Sequence, residues 1–276
     1  MRDLLLKGKI PGIVVWRGPS ELDGSPIALI AIGFAGASNS KTGADLIQTY
    51  IIRDDMRPSV ASQTGADVSI CGDCKHRGTY KDGLRLEGSR VCYVVLAHGP
   101  ANVYKGLLRG IYPAIPESMI PEIFAGLLVR VGAYGDGAAV PARIWHAILG
   151  AAQGRTGYSH QWRDPRFQYL AAYCMASVDT PEEAHLAQAM GWRTFRVAPP
   201  IGWAKLDGEG LCPASFEAGK RTTCDNCLLC SGTMGKGRAN IMIPDHSIAA
   251  TATKRRAGIM PAIKRNPATA LRHATA

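Results

Sequence analysis

The 276-residue chain lacks an apolar run long enough to cross a bilayer. Its best run, residues 26–37, has two glycines and falls short of the roughly 18–20 residues a spanning helix needs. The apolar part of its first seven residues, Met1 to Lys7, is too short for a secretory leader. The expectation is a soluble, cytoplasmic protein with no membrane partner. No internal repeat and no long low-complexity tract stands out. With 46% hydrophobic residues, wholesale disorder is excluded. The length suits one large domain or two modest ones, with a core that needs no disulfide staples. In a reducing compartment the eight cysteines read as metal ligands rather than disulfides.

Acidic residues are missing after Asp245, while Lys254, Arg255, Arg256, Lys264, Arg265 and Arg272 follow it. These six carry more than half of the net charge of +10 and leave about +4 for the first 245 residues. The tail has no helical or strand period, so residues 246–276 read as a basic, flexible segment suited to the phosphates of DNA or RNA. The competing reading is a solubilising terminus without a partner.

Four parts follow from the pattern: a β-rich segment over residues 1–60, an α/β core over 61–205, a cysteine-cluster segment over 206–245 and the tail. Strands are expected at 13–16, 27–32 and 46–52. Between the last two, Gly36 is followed four residues later by Lys41-Thr42, which resembles a phosphate-binding loop. Ser40 stands where that motif needs glycine, and the next segment is β-branched, so a polar turn contacting phosphate or substrate fits better. Strands at 127–131, 156–159, 172–178 and 193–197 then alternate with helices at 140–152 and 180–191. The second helix opens on a Thr180-Pro181-Glu182-Glu183 cap. Alternation predicts parallel pairing, with a partial or complete α/β barrel first and an open doubly wound sheet second. Asp136, Ser159-His160-Gln161, Ser177 with Asp179, and Arg196 fall at consecutive strand ends, where either fold gathers function. Asp136, His160 and Asp179 are candidate catalytic residues, and Asp136 and Ser159 candidate cofactor contacts. The plain alternatives are a turn former for Asp136, a satisfied loop histidine for His160 and a helix cap for Asp179.

Cys224, Cys227 and Cys230 form C-x2-C-x2-C, and Cys212 is followed by Pro213. Three close thiolates plus a remote Cys-Pro is a frequent way to hold a [4Fe–4S] cluster; a four-thiolate zinc site is the alternative. Upstream, Cys71 and Cys74 form a C-x2-C knuckle, and Cys92 follows after seventeen intervening residues. Here the fourth position is open to His76, His98, water or substrate, and either iron–sulphur or zinc fits. Cys174, between Tyr173 and Met175, reads as a buried apolar residue.

Cys71–Cys74, Cys92-Tyr93, the Gly-x-x-Gly-Asp136 strand end, Gly157-Tyr158-Ser159, and Cys212-Pro213 with Cys224, Cys227 and Cys230 recur in an order that resembles the phage and mobile-element gene product 88 group. That group in turn looks like distant relatives of radical S-adenosylmethionine (SAM) enzymes. The similarity covers roughly residues 65–245. It implies a partial or full α/β barrel, one cluster at the upstream cysteines and a second near the C-terminus, in a protein of a phage or plasmid. The radical SAM pattern is C-x3-C-x2-C, and the displaced third cysteine argues against SAM cleavage here. The leading expectation is therefore an iron–sulphur protein doing redox or radical chemistry on or near nucleic acid. The alternative is a non-catalytic nucleic-acid-binding or replication-associated protein with structural zinc or iron–sulphur sites. A nuclease finds no support, because no Ser/His/Asp triad, His-x-His pair or paired-carboxylate helix is present.

Overall fold

The structure is a computed structural model that describes residues 1–36 and 41–245, with Ser247, Ala250, Thr253, Lys254, Ala257 and Gly258. Among these residues eleven strands form: β1 Gly12–Pro19, β2 Pro26–Ile32, β3 Leu46–Arg53, β4 Tyr80–Lys81, β5 Leu84–Arg85, β6 Leu128–Tyr134, β7 Gly154–Ser159, β8 Met175–Val178, β9 Thr194–Ala198, β10 Glu209–Leu211 and β11 Asn240–Pro244. Nine of them make one sheet in the order β1-β2-β3-β6-β7-β8-β9-β11-β10, and β4 and β5 pair as a separate hairpin. β1, β2 and β3 are antiparallel neighbours; every pairing from β3 to β10 is parallel.

Each strand from β1 to β9 thus lies beside its predecessor in the sheet. A doubly wound sheet reverses its strand order at a central switch point; here the order reverses only at the edge, where β11 lies between β9 and β10. Among the described residues β1 and β10 do not pair with each other, so a complete barrel is not what the pairing shows.

Parallel pairing follows from the connections. The helix Ala142–Ala151 returns the chain from β6 to β7, and Pro181–Ala189 returns it from β8 to β9. The second helix begins as its sequence requires, with the Thr180 hydroxyl accepting the Glu183 N–H at 3.2 Å and Pro181 in the first turn. Apolar side chains of these helices, Ile144, Trp145, Ile148, Ala184 and Ala187, pack in one core with Val129, Val131, Ala176 and Val178 of the sheet. Cys174 is fully buried in that core beside Gly157, so it is an apolar filler and not a ligand. The segment at 172–174, expected as strand, is instead the end of the 3-10 turn Pro165–Ala172 and its exit, and β8 starts only at Met175.

No helix among the described residues is long and apolar enough to cross a membrane. Of the six basic residues after Asp245, Lys254 is described, and it corrects the expectation of an unpaired tail. It is 2% exposed and bonds Glu217 at 2.6 Å. The other five lie outside the described residues.

Candidate metal centre and substrate cavity

Strand alternation gives the sheet two chemically distinct faces. Arg130 and Gly132 of β6, Thr156 and Tyr158 of β7, Ser177 of β8, Phe195 and Val197 of β9 and Ile241 of β11 face away from the helical core and line one cavity of about 410 Å³. Cross-strand pairing sets Arg130 beside Thr156, and Phe195 beside both Ser177 and Ile241. Seven of the eight cysteines border the same cavity: Cys71, Cys74 and Cys92 with Cys212, Cys224, Cys227 and Cys230. All eight are free thiols.

The upstream group is assembled by the long β3–β6 connection. Cys71 ends the short helix Val68–Cys71, and Cys74 precedes the 3-10 turn Lys75–Arg77. The residues between Cys74 and Cys92 loop out as the β4–β5 hairpin. The chain then returns, and the His76 carbonyl accepts N–H bonds from Val91 and Cys92 at 3.2 and 3.0 Å. The third cysteine, remote in sequence, is brought back to the knuckle by backbone pairing. Gly72 is required for the knuckle: its φ is +58°, and a Cβ there would meet the Gln161 amide at 2.4 Å. That amide in turn donates to the Cys71 carbonyl at 3.1 Å.

Asp136 locks this loop to the sheet. Its own N–H donates to the Ile70 carbonyl at 2.6 Å. Its carboxylate accepts from the Ser159 hydroxyl at 2.8 Å, the His160 N–H at 2.6 Å and the Ala138 N–H at 3.0 Å. Burial nevertheless raises the Asp136 pKa to about 6, outweighing the three donors. His160 has its pKa lowered to about 4, chiefly by burial and then by neighbouring His76, and is neutral at pH 7.

The other sequence candidates divide. Asp136 and His160 line the cavity together with the upstream cysteines, as their strand-end positions predicted. Ser159 does not: it is fully buried, and its hydroxyl donates to Asp136 and accepts from the Gln161 N–H. Asp179 also stands back from the cavity. It holds His76 Nε2 at 3.0 Å and Lys75 at 2.9 Å, and these partners pull its pKa down to about 2 against the effect of burial. Asp179 is thus a positioning residue for His76, which does reach the cavity; His98 does not. Arg196 points to the other side and is buried in an ion pair with Glu209 at 2.7 Å.

The downstream group is pinned from three directions. The Cys224 and Asp225 N–H groups donate to the Lys41 and Thr42 carbonyls at 3.1 and 3.0 Å. The Gly157 N–H donates to the Cys230 carbonyl at 2.9 Å, and the Cys212 N–H to that of Met242 at 2.8 Å. Gly43, at φ +83°, leaves the room that the Asp225 carboxylate fills. The turn before β3, suspected of contacting a ligand, thus becomes the platform for the C-x2-C-x2-C loop, with Lys41 and Thr42 on the cavity wall. A strand follows it rather than a helix, so it is not a nucleotide-binding loop.

Within each group the thiols oppose one another's ionisation. Cys71 responds to Cys74 and Cys92, and Cys230 to Cys212, Cys224 and Cys227. Burial is the larger cause and pushes Cys74 and Cys230 up to about 12. Among the described residues, no three His, Cys, Asp or Glu side chains converge tightly enough to hold a single metal ion. A tetrahedral zinc site at 2.3 Å per Zn–S bond would need sulphurs about 3.8 Å apart.

Sequence reasoning missed Arg130, Tyr93 and Tyr134. Their only signal would have been the parity of Arg130 against Val129 and Val131, a charge alternating with core residues on one strand. No protein-family model, no curated protein and no solved structure matches this chain.

Proposed function

We propose that the protein is a redox-type iron–sulphur enzyme. Cys212, Cys224, Cys227 and Cys230 would hold one [4Fe–4S] cluster; Cys71, Cys74 and Cys92 would hold a second. A cluster with three protein thiolates leaves one iron without a protein ligand, and so supplies a redox-active coordination position facing the cavity. The observation that carries this reading is the convergence of seven thiols from separate chain segments on one cavity. The cavity-lining residues of five parallel strands further favour a partial barrel, with its mouth at the cysteine loops. The resemblance to the gene product 88 group and, through it, to radical SAM proteins points the same way, while the C-x2-C spacing upstream still argues against SAM as the co-substrate.

Anaerobic purification followed by iron, sulphide and zinc analysis, an absorption spectrum and electron paramagnetic resonance of the reduced protein tests this. About eight irons and eight sulphides per chain are expected. Stoichiometric zinc without sulphide would overturn it in favour of structural sites.

The charge asymmetry after Asp245 favours a second, compatible activity: salt-sensitive binding of DNA or RNA. Because Lys254 is engaged by Glu217, the informative truncation removes residues 259–276. It should flatten the slope of log affinity against log salt by up to about 2.7, the share of three lost phosphate contacts. An unchanged slope would leave the tail a solvated terminus.

A further inference from the structure

We propose that the cavity between the two cysteine groups binds a small monocarboxylic acid by its carboxylate, with Arg130 as the anchoring group. Arg130 stands on β6 at the cavity wall, and its guanidinium donates to the Tyr93 hydroxyl. After burial, the largest influences on its charge are Tyr93, Tyr158, Cys224 and Tyr50, none of them a carboxylate. Among the described residues it forms no salt bridge, whereas Arg53, Arg77 and Arg196 each pair with an acid at 2.7 Å. A shielded guanidinium that meets no carboxylate among the described residues suits an oxyanion of matching fork geometry.

The rest of the lining is rich in donors and poor in free acceptors. The Tyr134 side chain is 4% exposed, borders the cavity, and its hydroxyl has no partner. All three carboxylates on the wall are already engaged: Asp67 by Arg77 and Tyr80, Asp136 by three donors, Asp245 by Ser247. Arg77 is held by Asp67, and Arg90 donates to the Cys92 and Val94 carbonyls. Lys41 stands on the same wall, where it acts on Arg130, Cys212 and Cys224; of the two, Arg130 presents the planar fork that fits a carboxylate. Phe195, Val197 and Ile241 on the adjoining strands supply an apolar surface for the body of a small acid, in the part of the cavity of about 410 Å³ that the cysteine groups leave.

This deepens the redox-enzyme reading by naming its substrate class; turnover rests on that reading, and binding does not. The test is calorimetric titration of the anaerobically purified full-length protein with hexanoate and phenylacetate, against hexanamide and phenylacetamide, with iron measured in every sample. At least one acid should bind at least tenfold more tightly than its amide. Arg130→Gln should abolish that preference with iron content unchanged, and Arg130→Lys, which keeps the charge but not the fork, should retain part of it. Where Arg130→Gln fails to fold, the acid–amide comparison and Arg130→Lys decide. Equal binding of acids and amides, no binding of either acid, or tighter binding of inorganic phosphate would overturn the proposal. So would loss of iron in Arg130→Gln without loss of acid binding, which would make the guanidinium a counter-charge for the downstream cluster. Absence of iron in the wild type, with acid binding intact, would sink the cluster reading and leave this one standing.

Discussion

The two cysteine groups share a cavity but sit in opposite electrostatic surroundings. Around Cys71 and Cys74 stand Asp67, Asp136 and Asp179, whose charges push the thiol pKa values further up than burial alone. Around Cys212, Cys224 and Cys230 stand Lys41, Arg130 and the Tyr158 hydroxyl, which favour the thiolate. Lys41 and the Tyr158 hydroxyl thus offset negative charge downstream, while upstream the aspartates add to it against the guanidinium of Arg77. The scaffolds differ as well. The downstream loop is bonded to β7, β11 and the turn before β3 by its backbone, whereas the upstream loop is held by Asp136, Gln161, the β4–β5 hairpin and, through Lys75 and His76, by Asp179. On the proposed cluster reading, the downstream site would hold its group permanently and the upstream site would leave a position for chemistry.

The largest effects should come from breaking each group in turn. On the proposed reading Cys227→Ser should remove about half of the iron and lower the melting temperature by about 10 °C or more, because metal binding there would be coupled to folding. Cys74→Ser should remove the other half with a clearly smaller fall in melting temperature. Iron analysis and thermal melts of both variants check this, and equal destabilisation would erase the contrast.

Gly72→Ala sharpens the upstream half. A Cβ at φ +58° and 2.4 Å from the Gln161 side chain should cost about 2–3 kcal/mol by strain and overpacking. It should release the upstream metal preferentially, seen as a lower denaturant midpoint and a selective loss of iron.

The smallest effect is on pH dependence, at the Asp136–His160 pair. Asp136 has a folded pKa of about 6, above its unfolded value near 3.9, so it loses stability as pH rises from 4 to 6. His160 has a folded pKa of about 4, below its unfolded value near 6.5, so it gains stability over the same interval. The two oppose each other, and their sum should vary little between pH 4 and 6. His160→Gln leaves the Asp136 contribution alone, so the variant should lose about 2 kcal/mol of stability from pH 4 to 6 relative to the wild type. Urea denaturation at pH 4, 5 and 6 measures it, and parallel curves would refute the opposition.

Much of the fold was legible because its signals are local. Short β-branched runs at β1–β3, the periodic apolar residues 144, 148 and 151, and the Thr180 cap each act within a few residues of themselves. The cysteine spacing likewise announced two groups. Ser159, Asp179 and Arg196 were misplaced for one shared reason. A polar residue at a strand end can be consumed by a neighbour, and Asp136, His76 and Glu209 consume these three from 23, 103 and 13 residues away.

The sequence by itself determined the order of strands and helices, and the two cysteine sets, since pattern and spacing are written along the chain. Only the tertiary structure decided that both sets open on one cavity, that a hairpin returns Cys92 to the first knuckle, and that Arg130 lines the cavity without an ion pair among the described residues. Those facts depend on which strand face turns away from the helices and on which long-range backbone bonds close. Both are settled by burial and by hydrogen-bond satisfaction across the whole sheet.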